Sequence, residues 1–262
     1  MATSATQANQ TLSGKQTRVA NLRLERMFFS GMAALILFSV LLGFAQSYYL
    51  RGVSQVPHWR AFNSPPYPLV VHLHGVIFSL WVLLLITQTS LVAAHRLKPH
   101  RQIGIVGFVL ACLLLLIGVA VVCESMARHA PLGYPGIGGQ SVALFNILGF
   151  AVLAYFGYRR RHNPSAHKRL MMLATISLLP AAFSRWPIFH DGTHLRAAVC
   201  CFTLFGLIAC YDVWSTAKVY AATLWGGAML AVTNPPIVEI LTHNSLWFRF
   251  SLPLQAIGRH LY

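Results

Sequence analysis

Apolar and polar positions along this chain fall into long blocks rather than the short alternations of soluble helices and strands. Residues 70–94 include no Asp, Glu, Lys or Arg. At about 1.5 Å per residue a helix of that length crosses a roughly 30 Å hydrocarbon core. The cationic turn His95-Arg-Leu-Lys-Pro-His-Arg101 that follows is incompatible with lipid. The same grammar recurs along the chain and predicts seven spans, at 27–49, 68–94, 103–126, 141–158, 169–186, 194–214 and 220–241. Pro180 should kink the fifth span, and Pro235-Pro236 should break or bend the far end of the seventh. Polar residues 1–26, rich in Ser, Thr and Gln, read as a disordered cytoplasmic tail. Residues 242–262, with Trp247, Phe248, Arg249 and Phe250, read as an interfacial segment after the bundle. The fold class is therefore all-α, a polytopic membrane helix bundle.

Composition supports that reading. Apolar residues make up 56% of the 262, only 10% are charged, and mean hydropathy is +0.60. A soluble domain carries about a quarter charged residues. A net charge of +15 would suggest nucleic acid in a soluble protein, but here the cations lie in loops between apolar spans, which predicts no nucleic-acid partner. Five cysteines inside apolar segments, with no CxxC, read as small buried hydrophobes.

Charge also predicts orientation. Seven spans with an inside amino terminus give the inner segments thirteen cations: Lys15, Arg18, Arg23, Arg26, Arg96, Lys98, Arg101, Arg159, Arg160, Arg161, Lys168, Arg169 and Lys218. The outer segments keep seven: Arg51, Arg60, Arg128, Arg185, Arg196, Arg249 and Arg259. Cations concentrate on the cytoplasmic side, so the amino terminus is expected inside and the carboxy terminus outside. Anionic lipid is the expected partner of the inner loops.

A shift of 67 residues aligns HRLKPHRQ, from His95, with HNPSAHKR, from His162. Each is H-x4-H between two apolar spans, so the second and third spans form one hairpin and the fourth and fifth a second, a candidate repeat.

Candidate chemistry gathers at both ends. On the inner side, His100 heads the third span and His167 the fifth. If those helices meet, their imidazoles suit opposite faces of one haem iron. Arg101, Lys168 and Arg169 suit its propionates, because carboxylates pair with Arg forks and helix amino termini. Loop residues that only contact lipid headgroups explain the same side chains. On the outer side stand His72 and His74, Glu124, and His190-Asp-Gly-Thr-His194. His74, His190 and His194 with Asp191 or Glu124 fit a zinc or iron site of a membrane hydrolase. His72 or His74 is also a second haem candidate. No HExxH is present, and structural histidines at the interface fit equally. A non-catalytic, partner-binding subunit is the third reading. No Asp, Glu, Lys or Arg lies near the middle of any span, which argues against an ion-driven carrier.

The pattern His95, His100, Arg101, Gly104, then His167-Lys-Arg-Leu-Met171, resembles a broad group of uncharacterised bacterial multi-pass membrane proteins. It is distantly similar to the assembly proteins that assist haem insertion into bacterial cytochrome oxidases, and to di-haem cytochrome b561-type bundles. The resemblance covers about residues 72–186. It implies a bacterial inner membrane, haem b, and a redox or oxidase partner. In b561-type bundles the ligands pair helix two with four and helix three with five. His100 and His167 match the second pair, whereas the fourth span has only Asn146 where the first pair needs a histidine.

Overall fold

The computed structural model describes residues 2–50, 53, 67–189, 194–234, 237–242 and 244–261, with the side chains of 2–21, 132–136, 194, 239, 241 and 242 left out. Among the described residues it is all-helical. In order come α1 (Ala2–Phe44), a π turn (Ala45–Tyr49), α2 (Leu69–Ala93), α3 (Leu97–His129), a 3-10 turn (Ala130–Leu132) and α4 (Gly133–Arg159). They are followed by α5 (Pro164–Ser177), α6 (Pro180–Phe183), α7 (His194–Thr216), α8 (Ala221–Thr233), α9 (Ile237–Thr242) and α10 (Ser245–Arg259).

Five helical segments are long and apolar enough to cross a membrane: Leu22–Tyr49, Leu69–Ala93, Leu97–His129, Ile137–Arg159 and Leu195–Thr216. Their outward faces are apolar. Val106, Leu116 and Trp214 are all more than 60% exposed, a surface that water would penalise and lipid accepts. Between the helices runs one core, to which α1, α3, α4, α5, α7 and α8 contribute fully buried Ile36, Leu114, Phe150, Leu173, Ile208 and Leu230. The protein is an integral, multi-pass membrane protein.

The helices refine the predicted spans at three places. α1 extends back to Ala2, across residues 2–26. That stretch has one Gly and no Pro to stop a helix. The fifth span is not one kinked helix. It starts earlier, at Pro164, capped by the Asn163 side chain accepting from Ala166 N at 3.2 Å, and stops at Ser177. Pro180 has no N–H to continue the ladder, so it opens the four-residue α6 instead. The seventh span is likewise divided into α8 and α9, on either side of Pro235-Pro236.

The two broken helices run side by side in the same direction. Arg169 and Thr223 share a partner near their starts, Leu173 meets Gly226 one turn on, and α4 runs antiparallel to both, with Asn146 O facing Ser177 and Gly149 facing Thr233. The breaks after Ser177 and Thr233 therefore fall at similar depth. Buried Asn146 and Asn234 lie there, and Asn146 Oδ1 and both Asn234 amide atoms have no hydrogen-bond partner among the described residues.

Close backbone approach fixes two further contacts. A Cβ on Gly43 would stand 2.3 Å from Ala182 O, which seats α6 on α1, and one on Gly258 would stand 2.0 Å from Cys123 O, which seats α10 on α3. So 242–262 is not simply an interfacial segment. Its helix buries Ser251, Gln255 and Gly258, while Trp247 Nε1 donates to Ser141 Oγ at 2.6 Å.

Candidate functional site

The site is built from the two short turns that join α2 to α3 and α4 to α5. In the first, His95 has φ 60°, and α3 begins at Leu97. In the second, Asn163 caps α5 at Pro164. His100 and His167 are then each the fourth residue of a helix, with backbone N–H groups donating to Arg96 O at 3.3 Å and Asn163 O at 2.9 Å. α3 and α5 both pack against α4, and their first turns converge. The imidazole centroids of His100 and His167 are 6.4 Å apart, with ring planes at 80°.

The pair is electrostatically prepared. His167 Nδ1 bonds Gly157 O at 2.8 Å, so Nδ1 carries the proton and Nε2 keeps its lone pair. That is how a second-shell carbonyl orients an imidazole ligand. His100 Nδ1 is buried with no hydrogen-bond partner among the described residues. The same holds for both amide atoms of Gln88, on the preceding helix. A Cβ on Gly104 would be 4.0 Å from Gln88 Nε2. Polar atoms shut away from water without partners cost on the order of 1–3 kcal/mol each, so this cluster is chemically unfinished.

The three cations expected for propionates have different situations. Arg101 is exposed at the head of α3. Lys168 pairs with Glu25 of α1. Arg169 is 1% exposed. Its Nε and Nη2 donate to Asp212 Oδ1 at 2.8 and 2.5 Å, its Nη1 donates to Ser165 O at 2.8 Å, and its guanidinium lies 3.8 Å from the centroid of the Tyr220 ring. The structure thus gives Arg169 to Asp212 in place of a propionate. Asp212 Oδ2 also accepts from Thr223 Oγ1 at 2.6 Å and Tyr220 N at 3.2 Å. This network locks the first turn of α5, and with it His167, to α1, α7 and α8. Asp212 was missed as a partner because its position near the end of an apolar span looked unremarkable. The usable signal was scarcity, since the chain has only five Asp and Glu.

The outer candidates do not assemble among the described residues. His72 is exposed, between the rings of Tyr48 and Tyr67 at 6.2 and 6.0 Å, and Tyr48 Oη donates to His72 O at 3.3 Å. His74 is half-buried with its ring centroid 5.9 Å from that of Phe78. Glu124 is fully buried and paired with Arg128, one turn along α3. His190 and Asp191 lie outside the described residues. His194 begins α7, and nothing of its side chain is described. No group of three or more His, Cys, Asp or Glu positioned for a metal occurs among the described residues.

In comparisons with protein-family models, curated proteins and solved structures, nothing matches this chain.

Proposed function

We propose that this protein is a haem-binding redox or haem-handling protein of a bacterial inner membrane, in which His100 and His167 would hold one haem b. The carrying observation is the 6.4 Å centroid separation. A metal–imidazole bond is about 2.0–2.1 Å. With the half-width of each ring added, two imidazoles on opposite faces of one metal have centroids about 6 Å apart. The Gly157 carbonyl on His167, and His100 Nδ1 and the Gln88 amide atoms, which have no hydrogen-bond partner among the described residues, support the same reading.

These residues fit the group. His100 and His167 would hold it, and Arg101 is the cation at hand for a propionate. When bound, haem supplies one-electron redox chemistry or is itself the cargo of oxidase assembly. The chain's own part is to hold each imidazole in its helix register and to tether His167 through Nδ1 to the Gly157 carbonyl, which leaves Nε2 on the ring's other side. It also surrounds the pair with the low-dielectric helices α3, α4 and α5. In this reading the chain crosses the membrane seven times, two of them on the broken helices α5–α6 and α8–α9, with the amino terminus inside and anionic lipid at the Arg96–Arg101 and Arg159–Arg161 turns. The partner is a redox protein or an oxidase.

The test is a reduced-minus-oxidised visible spectrum of detergent-purified protein reconstituted with haem b. A sharp Soret band with split bands in the green is expected, lost in His100→Ala and in His167→Ala. Full haem retention by the double variant, or a wild type that takes up none, would reject the assignment.

A further inference from the structure

A second site lies on the far side of the α2–α3 turn from His100, and it is independent of the haem reading. Arg23, Arg26 and Ser30 line a cleft of about 520 Å³ against His95. The spacing of Arg26 and Ser30, four residues apart, puts them on one face of α1. Leu22 and Met27 of α1 and Ala93 at the end of α2 complete the wall with apolar surface. The site is therefore amphipathic, with cations on one part and hydrocarbon on the rest.

Its charge is uncompensated. None of the residues lining the cleft is acidic. Glu25, the acid nearest in sequence, is turned to Lys168 instead. Arg26 Nη1 lies 2.5 Å from His95 Nε2 and 3.2 Å from His95 Nδ1. Arg26 is thereby held half-buried, with its fork available to an anion. Ser30 Oγ is buried, with no hydrogen-bond partner among the described residues. A hydroxyl donor behind two guanidiniums is the donor set of a phosphate site, where Arg offers a planar fork to two oxygens.

We propose that this cleft binds the phosphodiester headgroup of an anionic phospholipid, with its acyl chains entering the hydrocarbon past Met27 and Ala93. Free phosphate shares the headgroup chemistry but has nothing to place on the apolar walls, which is why a lipid is the better fit. Basic pockets between membrane helices at one interface take such headgroups.

The experiment is native mass spectrometry and thermal unfolding of the full chain in mild detergent. The probes are phosphatidylglycerol, phosphatidylcholine and inorganic phosphate, each added alone. Phosphatidylglycerol should remain bound and raise the midpoint by several degrees, while phosphatidylcholine and inorganic phosphate should not. The Arg23→Gln/Arg26→Gln variant should weaken the phosphatidylglycerol effect at least tenfold. The charge-matched Arg249→Gln/Arg259→Gln control, on α10, should keep it. If the arginine variant does not insert, Ser30→Trp fills the cleft with both cations kept, and it must lose the effect too. An equal response to phosphatidylcholine overturns the proposal. So does full reproduction by inorganic phosphate, and so does an undiminished response in either cleft variant. None of these outcomes bears on haem uptake, which the visible spectrum reads separately.

Discussion

Asp212 neutralises a guanidinium that is almost wholly removed from water. A buried pair adds little net stability over an apolar substitute, but removing one partner strands the other. Asp212→Ala is therefore expected to lower unfolding stability in detergent by about 3–5 kcal/mol. It should also loosen His167, since Arg169 anchors the turn that holds it. Chemical unfolding followed by tryptophan fluorescence measures the first effect. The opposite sign is expected at Asn234, whose amide atoms are buried without hydrogen-bond partners among the described residues. Asn234→Leu replaces an unsatisfied polar group by an apolar one of similar size and should raise stability by about 1–3 kcal/mol in the same assay. Little of this was legible in the sequence. Each acid whose side chain is described pairs with a cation, Glu25 with Lys168, Glu124 with Arg128 and Asp212 with Arg169. Only the Glu124–Arg128 pair, one turn apart, has partners named by spacing. The other two join residues far apart in the chain, and no local pattern predicts which cation an acid will reach.

At the scale of elements, blocks of apolar residues located the five unbroken spans, because length and hydropathy are enough to specify them. They could not show how far a proline disrupts a helix. Around Pro180 the backbone re-satisfies itself with tight bonds, Leu178 N to Thr175 O at 3.1 Å and Leu179 N to Ile176 O at 3.0 Å. The helix consequently ends there instead of bending through. α10 was obscured for a different reason. Its buried stripe is Ser251, Gln255 and Gly258, at i, i+4 and i+7 but small and polar, so an apolar period does not reveal the packed face. Gly258→Val is the corresponding test. The added side chain must push against the Cys123 backbone, and overpacking of this kind costs about 1–3 kcal/mol. In a variant retaining Cys123 alone of the five cysteines, thiol labelling of this 2% exposed residue should accelerate once α10 is displaced. Unchanged labelling would mean that α10 does not cover α3 there.

Across the whole molecule, the ionic and histidine chemistry divides between two ends of the bundle, and α3 serves as the ruler. His100 and Cys123 are 23 residues apart on that helix, or about 34 Å at 1.5 Å per residue, slightly more than the hydrocarbon thickness. At the His100 end meet Glu25 and Arg26 of α1, His95, Lys168, Arg169 and Asp212. At the Cys123 end, α10 packs through Gly258. The polar end of α1 and the last helix are thus held at opposite ends of one helix that spans the membrane. Seven crossings follow only if α5–α6 and α8–α9 each pass through. Were just one of them to turn back at its proline, the carboxy terminus would join the amino terminus on one side, and α10 would have to leave Cys123. With cations weighted toward the His100 end, that end is expected in the cytoplasm. Single cysteines introduced at Leu97 and at Ser165 should react with a membrane-impermeant reagent only in inside-out vesicles, and one at Leu261 only in right-side-out vesicles. Labelling of Leu261 from the same side as Leu97 would sink the seven-crossing topology and separate α10 from its contact with α3.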